Sequence, residues 1–284
     1  QLTGHHLTMQ EHPVLFHAAD GVATITLNRP ETLNAMNNDL MQGITDSLKT
    51  VERDHSIRAV IITGQGRGFC AGADLVGVAN PKSAPSIRTN ESKDTPDRKT
   101  DQEGDDTFNT AMRELMNCPV PTIARINGPA AGGGFGLALA CDVTIAGHSA
   151  FFVATFGPKL GIVPDMGATW NIPRRVGRAR ALGLTLLGTR LSAADAERWG
   201  LIWQSVPDDN LDQAVADVVA ILKRSSPATA TRIRQTIDAA LDNDFSDQLD
   251  LEMTHQAVLI PRNMQAGARA FLAKKEPTFG PERD

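Results

Sequence analysis

Residues 122–145 read TIARINGPAAGGGFGLALACDVTI, and the fold turns on them. Thr122 to Ile126 is a short, mostly apolar run with the composition of a buried strand. Asn127-Gly128-Pro129 ends it as a turn. Three consecutive glycines, Gly132 to Gly134, then open a small-residue helical run over 135–140, closed by Cys141-Asp142. Strand, glycine turn and buried helix is the local reading. Glycine lets a backbone come close to another group because no Cβ stands in the way. The first amides of a helix lack an intrahelical acceptor and lie at the positive end of its dipole. The stretch therefore offers bare N–H donors to an oxygen carrying negative charge, although the same glycines also serve tight helix packing alone. A second stretch, GQGRGFCAGADL at 64–75, repeats the character after the apolar strand AVIIT at 59–63. Two amides aimed at one oxygen form an oxyanion hole, in which loss of one donor costs about 3–4 kcal/mol of catalysis.

Outward from these two stretches, residues 14–18 and 22–27 are β-like and joined by Ala19-Asp20-Gly21, a hairpin signal. The pattern over 37–53 is helical, with Leu40, Ile44, Leu48 and Val51 on one face. Residues 108–116 read as a helix, and 143–146 and 151–154 as short strands. The recurring order of strand, strand and helix predicts an α/β winding unit rather than regular βαβ alternation. After Pro164 the chain turns mainly helical, over 179–187, 193–199, 211–223, 228–241, 245–258 and 263–272, with one strand at 202–206. Ile233, Ile237, Ala240 and Leu241 form an apolar stripe. The expected division is a core over 9–205 and a helical region over 206–284. Residues 79–106, rich in Pro, Ser, Lys, Asp and Thr, read as a mobile surface loop, either a passive insertion or a flap over a nearby site.

Composition narrows the function classes. The 284 residues are 41% hydrophobic and 21% charged, ordinary for a globular enzyme. A net charge of −5 carries no nucleic-acid footprint. Cys70, Cys118 and Cys141 are far apart, which argues against a disulfide framework or a zinc site and fits a reducing, cytoplasmic setting. No apolar run has the length of a membrane span, and QLTGHHLTMQEH lacks a signal-peptide core, with Met9 a candidate native start. Gly64-x-Gly66-x-Gly68 lacks the spacing of a dinucleotide site, and GxxxxGK[ST], HExxH and GxSxG are absent. The histidines are scattered or cluster at the N-terminus, and no metal site is expected.

Four motifs in order resemble the enoyl-CoA hydratase/isomerase (crotonase) family. They are Asn28-Arg29-Pro30 with Leu33-Asn34-Ala35, Phe69 through Leu75, Asn127-Gly128 with Gly132-Gly133-Gly134, and Leu160-Gly161-Ile162-Val163-Pro164-Asp165-x-Gly167. The likeness covers about 14–279, and residues 170–203 resemble in particular the ring-epoxyphenylacetyl-CoA isomerases. The resemblance implies a spiral of ββα units, a C-terminal helical region that builds homotrimers or hexamers, and a coenzyme A thioester as ligand with no separate cofactor. Carried onto this sequence, the oxyanion donors are the amides of Ala73 and Gly133. The carbonyls of Ala71 and Ala73 hold the adenine end of coenzyme A, and Gly132 is a further substrate-binding position. Arg29, Arg67 and Lys274 stand where basic residues meet its phosphates, or are ordinary surface charges.

One departure separates the possible reactions. Hydratases of the family use two glutamates, and the corresponding positions here are Gly136 and Gly157. Adding water needs a base for the water and an acid for the α-carbon. What remains is Asp165, where family isomerases carry an aspartate, though Pro-Asp-x-Gly is also a turn in which it could cap a helix. A lone carboxylate in an apolar pocket, its pKa raised by burial, suffices to move a proton between two carbons. The expected activity is acyl-CoA isomerisation with Asp165 as acid–base. The alternatives are an enoyl-CoA hydratase, an aroyl-CoA dehalogenase-like enzyme and a non-catalytic CoA-binding protein. Asp74, just past a Gly-Ala turn, reads as a structural cap.

Overall fold

A computed structural model describes residues 12–79 and 107–283. The loop read over 79–106, insertion or flap, and the candidate start at Met9 therefore lie, apart from Ala79, outside the described residues. The chain opens on a hairpin of β1 (Val14–Ala19) and β2 (Val22–Leu27), paired from Ala19↔Val22 to Val14↔Leu27. Its turn works because Asp20 and Gly21 both take positive φ, 50° and 77°, the conformation a two-residue turn demands. Asn37 caps α1 (Asn38–Arg53) by accepting from the Leu40 amide, and Leu40, Ile44, Leu48 and Val51 are buried as one face.

From β2 the main sheet continues in parallel through β3 (Ala59–Gly64), β4 (Thr122–Ile126), β6 (Val143–Gly147) and β9 (Gln204–Val206). A parallel sheet needs both faces covered, and the apolar strands show it. Ala59, Ile123 and Ile145 pack on α7 (Leu211–Leu222) through Leu211, Val215 and Val219, while Ile25, Val60, Ile62 and Ala124 face the larger core.

A second layer consists of short pairings. β5 (Ala130–Ala131), β7 (Phe151–Val153) and β8 (Leu191–Ser192) form a small sheet in the order β5-β7-β8. Single bridges Cys70↔Ala130 and Met36↔Ala73 extend the same pattern backwards. Each turn of the winding thus gives one strand to the main sheet, one short contact to the second layer and one helix, as the strand-strand-helix order predicts. The helix in the middle is α4 (Gly133–Ala140), all eight residues of which are buried. Phe135 stacks on Phe152 with ring centroids 5.3 Å apart. The free carbonyls at its C-terminus are met by the Thr144 hydroxyl, donating to Ala138 O, and by the Arg175 guanidinium, donating to Leu139 O at 2.6 Å.

Several expectations are corrected. α5 spans Ala168–Leu187, eleven residues earlier than the sequence suggested, and its helical path breaks at Gly177, with φ 76° and ψ 166°. Pro173 lies inside the helix without breaking it, whereas Gly177 does break it. β5, β8 and a π-helical turn at Phe156–Leu160 are too short to show a period. The late strand is only Gln204–Val206. After α6 (Ala193–Arg198) and α7 come α8 (Pro227–Ala239), α9 (Phe245–Leu259) and α10 (Gln265–Leu272). The stripe Ile233, Ile237 and Leu241 does not enter the core: these residues are exposed along a groove beside Trp170 and Leu139. Arg234 ties α8 to the core, donating to both carboxylate oxygens of Asp142 at 2.6 and 2.7 Å and to the Met116, Cys118 and Val120 carbonyls. No described helix is long and apolar enough to cross a membrane.

Candidate active site

Two asparagines fix the loop that follows β3. Asn34 is fully buried and donates to the Gln65 and Gly68 carbonyls, while its own oxygen accepts from the Arg29 amide. From the other side Asn127 accepts from the Gly64 amide and donates to Gly66 O and Gly68 O. Gly68 is buried, and leaving its carbonyl unpaired would cost about 1–3 kcal/mol, so these two side chains hold the Gly64–Gly68 loop in one shape. The chain leaving that loop is then stitched to its neighbours. Cys70 N donates to Pro129 O, Ala71 N to Leu33 O, Met36 N to Gly72 O and Asp74 N to Met36 O.

That stitching leaves the Ala73 amide out. The bridge to Met36 uses the Gly72 carbonyl and the Asp74 amide, so the Ala73 N–H faces away from the pairing. On the next turn of the winding Gly132, at φ 51°, precedes α4, and Gly133 is its first residue. Among the described residues neither the Ala73 nor the Gly133 amide has an acceptor. The two bends touch. A Cβ on Gly72, whose φ is 88°, would sit 3.2 Å from the Gly133 nitrogen and 2.9 Å from Ala131 O. Only glycine permits that approach. The convergence expected of two sequence-distant glycine stretches is therefore present, at the positive end of a wholly buried helix.

Asp165 comes to the same place. Its Oδ1 lies 3.9 Å from the position a Gly133 Cβ would take, next to Met166 Cγ and Met36 Sδ at 3.1 Å. One cavity holds Ala71, Gly72, Ala73, Gly132, Gly133 and Asp165, walled by the apolar side chains of Met36, Leu75, Phe108, Phe156, Leu160, Ile162 and Met166. Asp165 is the only ionisable side chain among the described residues lining it, and Thr155 adds a hydroxyl. The sequence anticipated an enclosed carboxylate. In this chain Asp165 is exposed, as is the neighbouring segment 157–163, with Ile162 50% and Val163 79% accessible. Asp165 does not cap α5 with its side chain: Gly167 is the residue before the helix, and the Asp165 carbonyl accepts from the Ala168 amide.

The two positions without a carboxylate differ physically. Gly136 is buried against the next segment: a Cβ there would meet the Met166 carbonyl oxygen and lie 2.7 Å from Met166 Cβ. Gly157 is exposed, and a Cβ there would have Thr185 O at 3.2 Å as its nearest neighbour.

The basic residues divide. Arg29 is committed inside the chain, donating to Asp74 Oδ2 at 2.8 Å and Ala35 O at 2.6 Å, which ties together the two segments that meet at the Met36–Ala73 bridge. Asp74 caps α2 (Leu75–Val78) through the Val76 amide, as expected. Arg67 is exposed on the clamped loop, and Gly128 packs against its backbone. Lys274 is exposed just beyond α10 at φ 52°, and no described contact joins it to the two bends. The cysteines are buried thiols. Burial pushes Cys70 up to about 12 and Cys118 up to about 11, and raises Cys141 as well, so none offers a thiolate at neutral pH.

The model of the enoyl-CoA hydratase/isomerase family matches residues 17–282. The chain belongs to that family. It is 42% identical over 267 residues to the 1,2-epoxyphenylacetyl-CoA isomerase of Escherichia coli K12, covering 94% of this chain and 97% of that protein. A probable enoyl-CoA hydratase of Rhodobacter capsulatus is 35% identical over 273 residues, 95% and 99% of the two chains. Among solved structures, an enoyl-CoA hydratase from Polaromonas sp. JS666 superposes with a TM-score of 0.83 at 29% identity, covering 94% of this chain and 99% of that one. One from Bacillus anthracis gives 0.81 at 29%, covering 95% and 100%. The fold is the crotonase fold, with mixed sheets and a C-terminal helical region.

Sequence reasoning found the two bends and the carboxylate but not the parts that hold them. Met166 takes φ 52°, which no motif announces for a methionine. Asn34 and Asn127 carried a signal, since each stands beside a turn, but the carbonyls they donate to lie dozens of residues away.

Proposed function

We propose that this family member is an acyl-CoA isomerase whose one acid–base group is Asp165. The observation that carries the proposal is the cavity itself: the Ala73 and Gly133 bends line it side by side, and a single carboxylate shares the space with apolar walls. The thioester oxygen sits between the Ala73 and Gly133 N–H groups. Asp165 takes a proton from C2 of a 3-enoyl thioester, and the charge moves onto the thioester oxygen as an enolate that both amides stabilise. The same carboxyl returns the proton at C4, and the double bond ends at the 2,3 position. No water is consumed, and a ring-modified acyl group is isomerised through the same enolate. Coenzyme A enters as part of the substrate, with Ala71, Ala73 and the exposed Arg67 as its contacts and no separate cofactor. Arg29 shapes the site from behind rather than meeting a phosphate. The apolar surface left on the C-terminal helices supports assembly as a homotrimer, alone or paired as a hexamer, in which Lys274 reaches the coenzyme of a neighbour.

The isomerase named among the relatives favours this reaction. The probable hydratases favour a second one, water addition, which requires another acid in the cavity. The purified protein separates the two on a panel of 3-enoyl-, 2-enoyl- and cyclic acyl-CoA thioesters. The expected result is formation of conjugated 2-enoyl-CoA from the 3-enoyl substrate, with little 3-hydroxyacyl-CoA. Rapid hydration of 2-enoyl-CoA without double-bond shift would replace isomerisation by hydration.

A further inference from the structure

Gly133 and Gly136 lie one turn apart on the same face of α4, and that face meets the Asp165–Met166 segment. At Gly136 the Met166 main chain occupies the space of a side chain: Met166 Cβ lies 2.7 Å and its carbonyl carbon 3.0 Å from the Cβ position. At Gly133 the Met166 side chain does the same, with Cγ at 3.1 Å. Met166 is 5% exposed and holds φ 52°, a left-handed conformation that a methionine keeps only when its surroundings enforce it. Asp165 is the preceding residue, so its reach over Gly133 is set by how deeply Met166 sits on α4.

We infer that Gly136 is a positioning residue for Asp165. The missing Cβ is a slot for the Met166 backbone, and the depth of that slot places the carboxylate beside the Gly133 amide. A methyl group at 136 lifts Met166 off the helix and carries Asp165 away from the reacting carbons. The oxyanion donors themselves stay in place, because they belong to the Ala73 bend and to the first residue of α4. Displacements of about 1 Å around a reacting group cost on the order of 100-fold in rate. The inference rests on Asp165 being the acid–base.

The test is a kinetic cycle of wild type, G136A, D165E and the double variant on a 3-enoyl-CoA, with D165N as control. G136A is expected to lower kcat about 10- to 100-fold while KM and protection against thermal unfolding by a saturated acyl-CoA stay close to wild type. D165E, with one more methylene, is expected to be poor alone but to recover activity in the G136A background, so that the double variant exceeds G136A. Met166→Gly supplies a variant that suits the positive φ. It is expected to fold and to lose kcat through a loosened Asp165, and it takes over the test if G136A does not accumulate. Full kcat in G136A or in M166G overturns the inference, as does simple multiplication of the two losses in the double variant. D165N with wild-type activity would instead remove the acid–base role of Asp165, and the positioning role with it.

Discussion

α4 and α9 are both apolar in part, yet all eight residues of α4 are buried and none of the fifteen in α9 is. α4 is closed in on every side by this chain: Cys70 beneath Gly134, Phe152 on Phe135, Met166 on Gly136 and Arg175 at its carbonyl end. α9 leaves Phe245 80%, Leu249 46% and Met253 65% accessible. The difference teaches that the glycine-led helix is enclosed by its own chain, while the C-terminal helices leave apolar faces uncovered by it. Large apolar patches of this kind mark association surfaces.

The largest expected effect falls on the first half of that contrast. A Cβ on Gly134 would meet the Cys70 carbonyl oxygen and lie 2.7 Å from Cys70 Cβ, where two turns of the winding are in contact. Gly134→Val is expected to destabilise the protein by more than about 4 kcal/mol, read as loss of soluble folded material or a collapse in denaturant midpoint. A near-normal midpoint would show that α4 is not tightly enclosed. Next comes the joint between the halves. Arg234→Met leaves the Asp142 carboxylate without its bidentate partner and three carbonyls without a donor. The expected loss is about 3 kcal/mol in urea unfolding, and a loss below about 1 kcal/mol would mean that α8 is held by other contacts. The smallest effect on the single chain belongs to α9. Phe245→Ser with Met253→Ser is expected to change its stability by less than about 0.5 kcal/mol. Sedimentation mass is nevertheless expected to fall from trimer or hexamer toward monomer, and an unchanged mass would assign those side chains no part in assembly.

What the sequence disclosed follows from the same contrast. The strands at 22–27, 59–63 and 122–126, the Asp20-Gly21 turn and the α1 face were legible because local pattern and final burial agree there. The convergence of the Gly72 and Gly132 bends was legible as two glycine runs after two apolar strands. The start of α5 was not: the segment before Gly177 is helical although it contains Pro173, and only the break at Gly177 agrees with a helix read from 179. The stripe on α8 was legible as apolar but not as exposed, because periodicity reports which face is apolar and not what covers it. Gly136 shows the limit most clearly. The sequence showed a position with no carboxylate, and only the packing shows the Met166 backbone lying in its place.

The most direct measurement compares Asp165→Ala with wild type for conversion of a 3-enoyl-CoA to its conjugated isomer, with binding of a saturated acyl-CoA followed in parallel by thermal shift. Removing a positioned general base typically costs about 100- to 10,000-fold. The expected result is a loss of that size with thioester protection intact, since the Ala73 and Gly133 amides are untouched. Isomerisation persisting at the wild-type rate in Asp165→Ala would contradict the single-carboxylate mechanism.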